Sequence, residues 1–489
     1  MADSNRSTTP VSTTFRDYIS TQWAERTETL PAPRDVAAFA AARRLRISGM
    51  HPGERLIIPA GPARVRSNDT DYAYRAHSAF SHLTGWGADA VPDSVLVMEP
   101  TAEGHDATLY FRASAGRDSD EFYANAAIGE FWLGPRPSLA HVSADLGIAT
   151  QELGALEDVL ESTDATTRIV READRDLTDQ VDGRRLLNAE LPDDGTEGLD
   201  TDPDALLLRD LSELRLVKDS WEIGQMRAAI AATRQGFDDV IADRPAITAH
   251  PRGERLVEGT FNRRARAEGN QVGYDTIAAS GPHACILHWT RNDGPVVLGD
   301  LILLDAGIEL DSLYTADITR TLPINGTFSE VQRSVYEAVR EAADAAFAIV
   351  RPGIRFREIH AEAMKVIAAK TGEWGFLPVG ADESLDTDAQ YHRRYMVHGT
   401  SHHLGIDVHD CAQARRELYL DGILEPGMVF TIEPGLYFQP DDLTVPEEYR
   451  GIGVRIEDNI LVTETGAENM SIGIPRTADD VEAWLRAGA

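Results

Sequence analysis

The chain has 489 residues, 42% of them hydrophobic and 26% charged, a length that favours two globular domains over one. A formal net charge of -33 excludes a binder that works by neutralising nucleic-acid phosphates, and no apolar run is long enough to span a bilayer. Two cysteines, Cys285 and Cys411, fit a reducing compartment rather than a disulfide framework, and the first 33 residues carry no secretory pattern, so a cytoplasmic location is expected.

Residues 1–33, rich in Ser, Thr and Arg, are expected to form a weakly ordered arm, followed by an Ala-rich helix over 35–45. Short apolar runs at 55–58, 94–98 and 108–111 read as strands and 151–160 as a helix, giving an α/β domain over 34–190. The acidic stretch 191–210, with Gly and Pro, has little to bury and reads as a linker. Beyond it Ile223, Met226, Ile230, Phe237, Val240 and Ile241 fall at helical spacing, and Asp219 with Glu222 makes a capping box, so a long helix opens a second domain over 211–489. Helical segments around Pro245 and then strands to Pro323 are echoed by helical segments around Pro352 and then strands to Val462. Such repetition predicts two similar halves with a cleft between them.

The chemistry-bearing residues cluster in this second domain. The apolar run 301–304 ends at Asp305, and a second strand resumes at Asp317. In a hairpin centred near Asp311 the two aspartates stand opposite each other on one face, where they repel and need a cation, a shared proton or an arginine. Residues 398–410 hold four of the 14 histidines, His398, His402, His403 and His409, in strand-like sequence that points to metal binding or proton transfer, with His403 read as structural. Glu433 and Glu457 end further strand-like runs; Glu433 reads equally as an acid facing solvent, and Arg455 with Glu457 on one strand face reads as an ion pair. Four carboxylates and one imidazole suit two divalent ions such as Mn²⁺, Co²⁺ or Zn²⁺. Two such ions can hold a bridging hydroxide as nucleophile, so the implied reaction is hydrolysis.

From residue 214 to 469 these motifs resemble those of the pita-bread metallopeptidases, and within them aminopeptidase P. Tyr74-Arg75, Ser78, Phe80 and Leu83-Thr84-Gly85-Trp86 are similar to the creatinase-like N-terminal domain of these enzymes. The resemblance implies an α/β creatinase-like domain followed by an α+β pita-bread catalytic domain with pseudo-two-fold halves. It implies a dinuclear site, most simply of Mn²⁺, held by Asp305, Asp317, His402, Glu433 and Glu457, with Asp317 and Glu457 bridging. His288 would assist substrate binding and proton transfer, His398 and His409 would line the pocket, Glu433 would relay a proton, and Arg455 would stand behind the ligands. The expected substrates are peptides with proline second, cut after the first residue; dimers or tetramers are expected, with no nucleic-acid or membrane partner. A prolidase restricted to dipeptides and a non-catalytic peptide-binding protein remain as alternatives. The spacing from Asp305 to Asp317 is one residue longer than the family's usual pattern, which a bulge or a wider turn must absorb.

Overall fold

Alternation along the strands decides how the first unit folds. In the computed structural model, which describes residues 8–68, 70–162, 164–187 and 202–488, the chain divides into Met1–Leu214 and Arg215–Ala489. The first unit holds a five-stranded sheet in the order Ala149–Glu152, Gly104–Phe111, Val95–Thr101, Glu54–Pro59 and Thr166–Ile169. Leu56 and Ile58 join Leu96 and Met98 on one face, whereas Ile57 joins Val95 and Val97 on the other. Both faces are therefore covered, as period-two side chains with apolar residues at consecutive positions require. Trp86 is buried edge-on against Phe111, with ring centroids 5.3 Å apart, after the helix Ser78–Thr84 closes on Gly85 at φ 74°.

Three expectations for this unit meet a different structure. The helix expected over 151–160 begins only at Leu156, because Ala149–Glu152 pairs in parallel with Gly104–Phe111 and is drawn into the sheet. In the stretch expected to be a weakly ordered arm, residues 8–33 include the helix Thr13–Ile19, and Phe15 and Trp23 pack edge-on against Tyr123 and Phe122. Of the linker expected at 191–210, residues up to 201 lie outside the described part; the helix Pro203–Leu214 follows, with Leu207 and Leu211 buried in the first unit's core.

The second unit is built twice over. The helices Ser220–Ala242 and Gly253–Glu268 precede a sheet of Ile277–Ser280, Leu301–Ala306 and Ile318–Pro323. The helices Glu330–Ile349 and Phe356–Glu373 precede a sheet of Val429–Ile432, Asp458–Val462 and Ala467–Asn469. The first helix carries the expected capping box: Asp219 accepts from the Glu222 N–H while Glu222 accepts from the Asp219 N–H. The two halves are stitched where Ile318–Pro323 runs beside 455–459. There the Glu457 N–H donates to the Thr319 carbonyl, and Asn459 brackets the backbone of Asp317 on both its N–H and its carbonyl. The fully buried Arg320 guanidinium completes the seam, donating to Asp458 and to the carbonyls of Thr319, Glu457, Pro475 and Ile474. This is the α+β, two-halved arrangement that the resemblance implied.

Candidate active site

Leu301–Ala306 and Ile318–Pro323 pair with Asp305 opposite Thr319, not opposite Asp317 as expected. The same register continues to the bridge between Glu309 and Thr315, so the hairpin centres one residue later than Asp311. No bulge is needed: the longer spacing is taken up in the turn from Leu310 to Tyr314, where Leu313 adopts φ 70°. Asp317 now sits diagonally across from Asp305 on the same face, because a shift of two residues preserves the side-chain direction. Tyr274 bridges the pair, its hydroxyl lying 2.7 Å from Asp305 and 2.5 Å from Asp317.

Residues 398–410 do not form a strand. Gly399 and Gly405 punctuate an irregular run beside Val429–Ile432, tied by Glu433 N–H to the Thr400 carbonyl, Thr431 N–H to that of His402 and Leu404 N–H to that of Val429. His402 Nδ1 lies 3.1 Å from the His403 carbonyl, which only accepts, so Nδ1 carries the hydrogen. Nε2 is thereby aimed at Asp317 and Glu433, at 3.3 and 3.4 Å. The His403 carbonyl also accepts the Asp410 N–H, and Asp410 is clamped in turn by Lys218 and Arg215, each at 2.9 Å and all three buried. His403 itself stacks on Phe356, consistent with its structural reading.

Glu457 falls in the gap between the strands Gly453–Arg455 and Asp458–Val462. It is almost wholly buried; Oε2 accepts from Thr319 at 2.7 Å, whereas Oε1 has no hydrogen-bond partner among the described residues. The ion pair expected between Arg455 and Glu457 is not formed. Arg455 instead reaches Asp305 at 2.5 Å, Tyr437 at 3.0 Å and Thr319 at 3.2 Å, so Thr319 stands between the arginine and Glu457. Glu433 faces the cavity rather than open solvent.

One cavity of about 550 Å³ takes in Asp305, Asp317, His402, Glu433 and Glu457 together with His288, His398, His409 and Arg455. Ligand atoms of Asp317, His402 and Glu457 lie within 4.8 Å of one another. Burial raises Asp305, Glu433 and Glu457 above the usual carboxylate range, and the neighbouring carboxylates add to it. Burial disfavours the His402 imidazolium, but the Asp317 hydrogen bond and the Glu433 charge outweigh it and place its pKa at about 9. A buried carboxylate oxygen without a donor, among acids that repel, is what a bound cation would resolve. The hard oxygen-rich donor set with one imidazole fits a divalent ion.

Two residues that sequence reasoning missed support the site, Tyr274 on the cavity wall and Tyr437 behind it. Tyr437 accepts from Arg455 and lies 2.7 Å from His398 Nε2, while His398 Nδ1 faces the Gly399 carbonyl at 2.6 Å. Burial and then the Arg455 charge push His398 down to about 3, so it is neutral near pH 7 and its Nε2 accepts from the phenol. Tyr437 had a signal, since it follows Glu433 at even spacing along an extended run; Tyr274 had none that set it apart from the chain's 13 tyrosines.

Residues 224–464 match the model of metallopeptidase family M24, and residues 39–170 match that of the aminopeptidase P N-terminal domain. The chain is 50% identical over 467 residues to Xaa-Pro aminopeptidase 2 of Streptomyces coelicolor, covering 95% of this chain and 94% of that one. It is 32% identical over 455 residues to the Xaa-Pro aminopeptidase of Escherichia coli, covering 92% and 97%. The solved structure of aminopeptidase P from E. coli in its low-pH form superposes with a TM-score of 0.77 at 31% identity, over 92% of this chain and 98% of that one. No helix among the described residues is long and apolar enough to cross a membrane. With its convergent carboxylates and histidine, its two-halved fold and these likenesses, the chain belongs to metallopeptidase family M24.

Proposed function

We propose that this protein is an Xaa-Pro aminopeptidase, releasing the first residue of peptides whose second residue is proline, with Asp305, Asp317, His402, Glu433 and Glu457 holding two divalent ions, most simply Mn²⁺. The observation that carries the reading is the unpartnered, buried Oε1 of Glu457 among carboxylates within reach of His402 Nε2, in a chain half identical to an Xaa-Pro aminopeptidase along nearly its whole length. Bound divalent ions supply Lewis acidity and make hydroxide available near neutral pH.

The chain's own residues do the rest. An Xaa-Pro bond has no amide hydrogen and a fixed φ, so its recognition depends on shape; Ile277, Leu287 and Val408 give the cavity apolar surface for a pyrrolidine ring. Glu433, at the cavity wall 3.4 Å from His402, would take up the nucleophile's proton and pass it to the departing proline nitrogen. Arg455 keeps Asp305 oriented, and the neutral His398, held by Tyr437, and His409 fix the substrate. His288 contacts the substrate from the loop before Leu301–Ala306. The activity belongs to a homo-oligomer in the cytoplasm, without nucleic-acid or membrane partners.

A peptide panel tests the assignment. With Mn²⁺ present, an X-Pro-X tripeptide is expected to be cleaved at least about 100-fold faster than its X-Ala-X counterpart, a difference of about 3 kcal/mol in transition-state binding. A preference for the X-Pro dipeptide over the tripeptide would mark a prolidase instead. The Tyr274 hydroxyl gives a second check on the metal centre. Tyr274→Phe leaves Asp305 and Asp317 without their shared donor and is expected to weaken Mn²⁺ binding by about 10- to 100-fold, as titration calorimetry would report.

A further inference from the structure

Glu254 is a fully buried carboxylate that touches nothing in the cavity. It sits in the first turn of Gly253–Glu268, and its two oxygens accept four hydrogen bonds. Oε1 receives the Ser280 N–H at 2.8 Å and His283 Nδ1 at 2.7 Å; Oε2 receives the Gly294 N–H at 2.7 Å and Trp289 Nε1 at 3.0 Å. All four donors belong to the segment 280–294, and the Glu254 N–H returns a bond to the Gly294 carbonyl at 3.1 Å. A carboxylate offers about four acceptor sites, so this one is saturated, which is what allows a charge to be buried here.

The anchor is tightly fitted. The His283 ring stacks on Trp289 with centroids 3.8 Å apart, and a Cβ at Gly294 would meet Glu254 Oε2 at 2.9 Å and His283 Cε1 at 2.7 Å. Asn292, at φ 46°, adds a second tie by donating to the Thr276 carbonyl and accepting the Ala278 N–H. Between these ties lies His288, exposed at the cavity wall, whose imidazole makes no hydrogen bond among the described residues. With no hydrogen bond to direct it, the ring depends on its backbone for its position, and the backbone is held from the adjacent Trp289 and from both ends of the segment.

We propose that Glu254 is a positioning residue for the reaction, acting through His288 by fixing the loop that carries it. This rests on the reading above in which His288 contacts the substrate. The test is a double-mutant cycle on X-Pro-X hydrolysis by the Mn²⁺-loaded enzyme, with Glu254→Gln, His288→Ala and the pair. Glu254→Gln is expected to lower kcat/KM by about 10- to 100-fold alone and by less than about 2-fold in the His288→Ala background, with Mn²⁺ stoichiometry unchanged. Equal losses in both backgrounds would overturn the proposal and make Glu254 a support of the fold alone. A His288→Ala enzyme as fast as the parent would remove His288 from the reaction, and the proposal with it, while leaving the assignment as an aminopeptidase intact. Should Glu254→Gln fail to fold, Trp289→Phe, which deletes a single donor to Oε2, runs the same cycle with the same criterion.

Discussion

Glu457→Ala and Asp305→Ala are each expected to lower kcat/KM on an X-Pro-X tripeptide by at least about a thousandfold, the loss of some 4 kcal/mol that a metal's charge stabilisation supplies. The protein should stay folded. Burial and acidic neighbours raise both carboxylates, so removing either relieves repulsion in the metal-free protein, although Asp305→Ala also breaks the ion pair with Arg455 and gives part of that relief back. The relief is larger for Glu457, whose Oε1 lacks a partner, than for Asp305, whose loss leaves Arg455 with Tyr437 and Thr319 alone. In thermal melts, Mn²⁺ should raise the midpoint of the parent but not that of Glu457→Ala, as expected when a ligand binds only the native state. Full activity in either variant would refute the metal site, and a collapse in stability without metal would show that the carboxylate holds the fold instead.

The second large effect concerns stability. Asp410→Asn removes the charge that the buried Lys218 and Arg215 share and is expected to cost about 4 kcal/mol, since removing one member of a buried ion pair leaves buried charge poorly compensated even though Arg215 keeps Asp407 at 3.6 Å. That corresponds to roughly a 10 °C fall in the melting temperature of this part of the chain. The pH dependence has a definite sign. Burial disfavours the Asp410 carboxylate, but Lys218 and Arg215 outweigh it and hold its pKa well below the usual range. Its contribution is therefore complete above the unfolded-state pKa of about 4 and is lost as pH falls further toward the folded-state value. The gap between parent and variant should be constant from about pH 6 to pH 8 and should narrow below about pH 4, where Asp410 of the unfolded parent takes up a proton that the folded state still excludes. A gap that stayed the same at low pH would mean that the clamp stabilises by packing and not by charge. Because Asp410 also donates its N–H to the His403 carbonyl that orients His402, the variant's Mn²⁺ affinity is expected to fall along with its stability.

Much of this protein is written in local sequence. Runs such as Leu56-Ile57-Ile58 and Leu301-Ile302-Leu303-Leu304 fix strands buried on both faces, and the Asp219/Glu222 box fixes where a 23-residue helix begins. Acids at the ends of apolar runs, and histidines among glycines, marked most of the predicted residues that the cavity gathers, whereas His288 came only from the family resemblance and Arg455 only as an expected ion-pair partner. Those signals are local because they depend on the cost of burying a charge beside its own neighbours in the chain. The partners were not local. A two-residue shift of register decided that Asp305 faces Thr319, and a seam between the halves decided that Arg455 binds Asp305 instead of the Glu457 two residues away. The Tyr274 bridge and the Glu254 anchor were equally out of view, since each joins residues 26 to 43 positions apart through side chains with no periodic signature. Sequence pattern sets which face a side chain takes; only the closing of loops and the meeting of sheets sets what that face meets.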